Sequence, residues 1–250
     1  PESGRKALVE GARVLASVDS GTAARVRGLD DVLRFATRLF LLGDTVGARA
    51  DYARYLAAIG NDKLPPARRL GQFTYLASLG DGKAARTMLG QYRAAAKGAG
   101  KDSADFTRPG TVAAMHEEMD VLVAEGRGTE ALAVLRQMAD SGKGSAIDAL
   151  SHFSSVFILT GQRDSALVYA ARWLDLRDPR KLQIDKNNWV TPRILIASCR
   201  LADEVGDVPA RTRFCGELVS RWRDAEPELQ PIVRDARARL ARESGTPVPR

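Results

Sequence analysis

Along this chain apolar residues return every three or four positions, and no segment alternates strictly between apolar and polar residues. That spacing predicts amphipathic helices and no sheet. Glycines punctuate the pattern: Gly43, Gly80, Gly126, Gly161 and Gly206 each close one helical stretch. The first four are followed five residues later by Ala48, Ala85, Ala131 and Ala166, while Gly206 has its alanine four residues on, at Ala210.

Two further positions keep the same frame. Four residues before each glycine stand Leu39, Leu76, Leu122, Phe157 and Ala202, and twelve residues after it stand Tyr55, Tyr92, Met138, Trp173 and Leu218. A bulky residue thus recurs at one depth of each second helix, and a small one where two helices must come close. The glycine ends a first helix in a left-handed conformation, and the alanine lets a second helix fold back on it. The product is a helical hairpin, expected at about 30–59, 63–97, 109–142, 145–176 and 189–222, with one further helix at residues 5–17.

After the last hairpin, Leu229, Ile232, Val233, Ala236 and Leu240 share one helical face and Arg234, Arg237 and Glu243 fall outside it. This predicts a capping helix at about 228–243, which a stack of hairpins needs because its last unit otherwise leaves an apolar face in water. Long connectors at 98–108 and 177–188 account for the two wide glycine spacings of 46 and 45 residues. They are open to two readings, functional loops or tolerated insertions on a rim.

Composition narrows the picture. Of 250 residues 44% are apolar, enough for a substantial core, and aromatics make up only 6%. The abundance of Ala, Leu and Arg agrees with an all-α class. The net charge of +7 permits attraction to acidic partners, but 31 acidic residues are interspersed among 38 basic ones without a block of five like charges. A solvated helical surface is the plainer reading. The longest apolar run, Leu39 to Leu42, is far too short to span a bilayer. The chain opens with Pro1, without a Met start, so it reads as a mature form or a piece of a larger protein. Location stays open, with the cytoplasm favoured.

Residues capable of chemistry stand at several places. His116-Glu117-Glu118-Met119-Asp120 is close to a helical zinc motif with Asp in place of the second histidine, and no third ligand is indicated, so no metal is expected. His152 beside Ser151 has no triad context. Gly80-Asp81-Gly82-Lys83 and Gly142-Lys143-Gly144-Ser145 lack the upstream glycine and the strand of a phosphate loop and read as hairpin punctuation. Cys199 and Cys215 lie seven residues before and nine after Gly206, near enough for a disulfide, but the expectation is two reduced, buried thiols. Trp173, Trp189 and Trp222 are read as core. No cofactor and no catalysis are expected, and a pocket joining His116 to other ligands is the observation that would revive an enzyme.

Gly43-Asp44 through Ala48, Gly126 through Thr129-Glu130-Ala131-Leu132, and Gly161 through Ser165-Ala166-Leu167 resemble the turn and second helix of tetratricopeptide repeats. The early Trp, Leu and Gly of that family are largely missing here, and the glycine spacings depart from its steady 34 residues. Trp222 to Leu229 with Ala236 to Leu240 resembles the closing segment of repeat regions attached to bacterial serine/threonine kinases and related signalling regulators.

The resemblance implies a single domain over 1–250, a right-handed α-solenoid of about five hairpins that binds a protein or peptide, as the regulatory repeat region of a larger bacterial signalling protein. First helices line the concave groove of such stacks. Aligned on the glycines, the groove residues are Thr37, Phe40, Thr74, His116, Asp120, Ser151, Ser155 and Arg200. This mixed set lacks the basic clamp that holds terminal carboxylates in chaperone-binding members. The alternative is a basic solenoid that binds nucleic acid, which a steep salt dependence would reveal.

Overall fold

The computed structural model describes residues 34–59, 75–96, 111–140, 145–177, 181 and 190–242. The helix expected at 5–17, the connector 98–108, most of the connector 177–188, Thr74 and Trp189 lie outside them. Among the described residues every regular element is helical and none is a strand. No described helix is long and apolar enough to cross a membrane.

The elements are a π-helical segment, Thr37–Leu42, then α1 (Thr45–Ile59), α2 (Gly82–Ala96), α3 (Val112–Ala124), α4 (Gly128–Asp140), α5 (Ser145–Leu159), α6 (Arg163–Asp175), α7 (Val190–Val205), α8 (Val208–Arg221) and α9 (Gln230–Leu240). The pairs α3 and α4, α5 and α6, and α7 and α8 fall within the spans expected for hairpins, and α9 within that of the capping helix. By internal contacts the chain divides into two compact units, Pro1–Leu64 with Val219–Asp235, and Pro65–Leu218 with Ala236–Arg250.

The turns are built as the frame requires. Gly43, Gly80, Gly126, Gly161 and Gly206 all have φ between 70° and 74°. At the last four the glycine N–H bonds the carbonyl three residues back, and the next N–H reaches five back, to Leu76, Leu122, Phe157 and Ala202. This Schellman arrangement satisfies carbonyls that a helix end would otherwise leave open. Asp44, Asp81 and Asp207 then start the following helix by accepting from the backbone N–H groups of Gly47, Ala84 and Ala210, at 2.8, 3.3 and 2.9 Å. Ala48, Ala85, Ala131 and Ala166 are fully buried.

In the first unit Phe35, Leu41, Ala48 and Tyr52 are buried, with the Phe35 ring 6.3 Å from Phe40 and 5.6 Å from Tyr52. Asp51 is wholly buried there and pairs with Arg38 at 3.1 Å and with Arg54. Leu229, Ile232 and Val233 of the closing segment are buried as well, while Arg234 is exposed, which agrees with the amphipathic face.

In the second unit each helix from α2 to α7 packs on its neighbour in sequence, and α5 also touches both α3 and α7. Leu122, Leu135, Met138, Val156, Phe157 and Trp173 fill the core, and the Trp173 Nε1–H donates to Thr191 Oγ1 at 2.9 Å. Gly82 and Gly128, each two residues past a turn glycine, start α2 and α4 against the end of the next first helix. A Cβ at Gly82 would lie 2.8 Å from the Glu125 backbone nitrogen, and one at Gly128 would lie 2.8 Å from Thr160 Cγ2.

The fifth hairpin departs from the frame. The position five after its glycine is Arg211, which is buried, whereas Ala210 is only half-buried. The opposing position is the small, fully buried Ala202 where other hairpins carry Leu or Phe. Large and small have changed places, and the room holds a guanidinium whose Nη1 is 3.3 Å from Asp203 Oδ1. Asp203 also accepts from Arg239 at 2.8 Å and from Arg242, and Arg211 donates to the Arg242 carbonyl at 2.9 Å.

The cysteines require a correction. Cys199 and Cys215 are joined in a disulfide rather than held as thiols, with Cα atoms 4.8 Å apart. Positions seven before and nine after the turn glycine stand at one height on facing sides of an antiparallel pair. The small residue Ala202 one turn away lets the helices approach to disulfide range.

Candidate functional site

The first helices α3, α5 and α7 bring four polar side chains to one place. His116 and Asp120 are four residues apart and share a face of α3. His152 comes from α5, its ring centroid 4.7 Å from that of His116, edge to face. The imidazole nitrogens of the two histidines and a carboxylate oxygen of Asp120 offer ligand atoms all within 4.8 Å of one another. Arg193, from the first turn of α7, lies close enough for its charge to act on Asp120 and His152. All four side chains are partly exposed.

Helix α3 is set in place from both ends. Thr111 caps its start by accepting from the Ala114 N–H at 3.2 Å. Along its other flank Arg86 of α2 grips Glu125 with two bonds of 3.0 and 2.7 Å and also reaches Glu118, which Arg93 holds at 3.1 Å. Arg86, joined by Arg127 at 3.1 Å, holds the Glu125 carboxyl down to about 2. On the same helix Glu117 is buried and 3.9 Å from Arg93; burial pushes its carboxyl up to about 7 against the pull of that arginine.

Electrostatics at the four-residue cluster follow from depth. Burial raises the Asp120 carboxyl, which His116 and Arg193 pull back down. Burial pushes the His152 imidazole well below its ordinary value, and the charges of His116 and Arg193 push it the same way. Arg193 is lowered by burial and supported by Asp120. The cluster therefore holds a neutral imidazole and a carboxylate that gains from a nearby positive charge.

The expected groove residues are distributed unevenly. Thr37 and Phe40 lie on the π-helical segment of the first unit, both partly exposed. His116 and Asp120 are brought together. Ser151 is buried, while Ser155 and Arg200 are exposed. The cluster also recruits His152 and Arg193, which the glycine alignment passed over. His116 stands ten residues before its glycine and His152 nine before its own, so an alignment at fixed offset picks Ser151. Comparing helical faces, with one residue of slack, is the signal that finds the pair.

The glycine-rich start of α2 borders an open hollow of about 470 Å³. Two of its polar groups are already engaged: Arg86 is paired with two glutamates, and the Asp81 carboxylate stands at the helix start where an anion would sit. The hollow is poorly suited to phosphate. Compared with protein-family models, with curated proteins and with solved structures, the chain matches none.

Proposed function

We propose that the chain is a non-catalytic scaffold that binds a protein or peptide: a right-handed solenoid of tetratricopeptide-like hairpins, the partner-binding region of a larger bacterial signalling protein. The supporting observation is that first helices α3, α5 and α7 touch one another in series and turn His116, Asp120, His152 and Arg193, all partly exposed, toward one locus. In a stack of hairpins such a row lines a groove, and mixed polar lining suits an extended segment or helix held by side-chain pockets and a few hydrogen bonds. Exposed Ser155 and Arg200 extend that lining.

The test uses a partner recovered by affinity capture and then purified. Asp120→Lys with Arg200→Glu weakens binding at least about tenfold and leaves the melting temperature nearly unchanged. If binding survives that pair and is lost when Arg136 and Arg163 on second helices α4 and α6 are reversed, the outer surface is the site. A steep fall of binding to nucleic acid with salt would favour the basic-solenoid alternative.

One observation favours an enzyme as a second reading. His116 does meet other ligand-type side chains, and two imidazoles with a carboxylate are a donor set that hydrolytic centres use. Turnover of a chromogenic ester that His152→Ala abolishes would carry it.

A further inference from the structure

We propose that His116, Asp120 and His152 form a binding site for one divalent transition-metal ion of the zinc and cobalt class. The proposal goes beyond the scaffold reading and is independent of any partner, since all three donors belong to this chain.

The donors are of the right kind and number. Two imidazole nitrogens and one carboxylate oxygen suit borderline ions such as zinc, cobalt or nickel, whereas calcium and magnesium prefer oxygen alone. The helical motif on α3 supplies the first two, at positions four residues apart that share a face. The third comes 36 residues later in sequence, from His152 on a helix packed directly against α3.

The distances are close to what an ion needs. Metal–ligand bonds of about 2.0–2.1 Å in a tetrahedral shell place ligand atoms roughly 3.3 Å from one another. The three atoms lie within 4.8 Å of one another, about 1.5 Å beyond that spacing, a gap of the size that turning a carboxylate or an imidazole ring about its side-chain bonds spans. Edge-to-face packing of two histidines accounts for the imidazoles alone. It does not account for a carboxylate brought to the same point.

Charge in the vicinity shapes what else the ion takes. Arg193 opposes a cation but favours an anion beside it. With three protein ligands at least one coordination position stays open. Glu117 and Glu118, next along α3, are turned to Arg93 and Arg86 and take no part.

The experiment is a titration of the untagged full chain with Co²⁺ near pH 7.5, followed by visible ligand-field absorption and repeated by competition with Zn²⁺. One equivalent is expected to saturate the signal, and Zn²⁺ to abolish it. His152→Ala and His116→Ala each weaken binding by about a hundredfold or more, and the near-isosteric Asp120→Asn by about tenfold or more. Gln137→Ala, exposed on α4, leaves it unchanged. Far-UV circular dichroism confirms folding of each variant, and Asp120→Asn keeps the test decisive if an alanine variant unfolds. The proposal is overturned if no saturable signal forms, or if binding persists unchanged in the histidine variants or in Asp120→Asn.

Discussion

Asp120 on α3 and Asp203 on α7 are both aspartates of first helices near the turn glycine, and they are used in different ways. Asp203 is almost completely enclosed and surrounded by the guanidinium groups of Arg211, Arg239 and Arg242, two of which come from the end of the chain. Asp120 is partly exposed and shares its surroundings with two imidazoles and one arginine, and burial raises its carboxyl. A carboxylate whose acceptor sites are filled by the fold fastens helices together. One that lies partly exposed beside two imidazoles is within reach of something brought from outside.

Removing each carboxylate is the sharpest way to break that comparison. Asp203→Ala leaves the buried Arg211 without its carboxylate partner and is expected to destabilise the protein by about 3–5 kcal/mol. Asp120→Asn keeps the shape and removes a charge that burial already disfavours, so its effect in the same urea titration is expected to stay below about 0.5 kcal/mol. Equal losses would show that the two aspartates do the same work.

The second expectation concerns the covalent fastening of the same region. The Cys199–Cys215 bond closes a 16-residue separation, and removing it with a double serine variant is expected to destabilise by about 2–3 kcal/mol. Thiol labelling after denaturation without reductant is expected to find no free cysteine. Two labelled thiols would leave that hairpin without its covalent fastening and weaken the contrast.

A smaller loss than that of the disulfide is expected on the opposite flank of α3. Glu125 titrates near 4.5 in the unfolded chain but is held down to about 2 in the folded one by Arg86. Its pairing therefore contributes above the unfolded value and is lost as pH falls through 4.5 toward 2. Because Arg86 is about one-third exposed, solvent screening reduces the gain. Arg86→Met is expected to cost about 1 kcal/mol at pH 7 and clearly less at pH 3, as read by thermal melts at both pH values. A pH-independent loss would make Arg86 a packing residue and not a charge partner of α3.

Much of the fold was legible because the turn chemistry is local. All five turn glycines have positive φ, and the four alanines that stand five positions on are fully buried. The fifth hairpin was misread because periodicity assumes that the small residue always sits on the second helix. Ala202 and Arg211 reverse that, and only the pairing with Asp203 explains the exchange. The cysteines were placed near each other correctly, but proximity does not decide redox state. At the candidate site His116 and Asp120 were legible from their spacing on one helix. His152 and Arg193 were not, since the register between packed helices carries a one-residue slack that a linear frame does not contain.

The turn glycines hold a further consequence. A Cβ built at Gly43, Gly80, Gly126, Gly161 or Gly206 meets nothing within 4 Å. Room at the Cβ position is therefore not what excludes a side chain from these five corners. Chirality is, since an L residue at φ near 70° brings its own Cβ against its own carbonyl. The corners select by handedness first, so along these turns the tolerated alphabet is ordered by ease of entering left-handed backbone, with asparagine next to glycine and valine last.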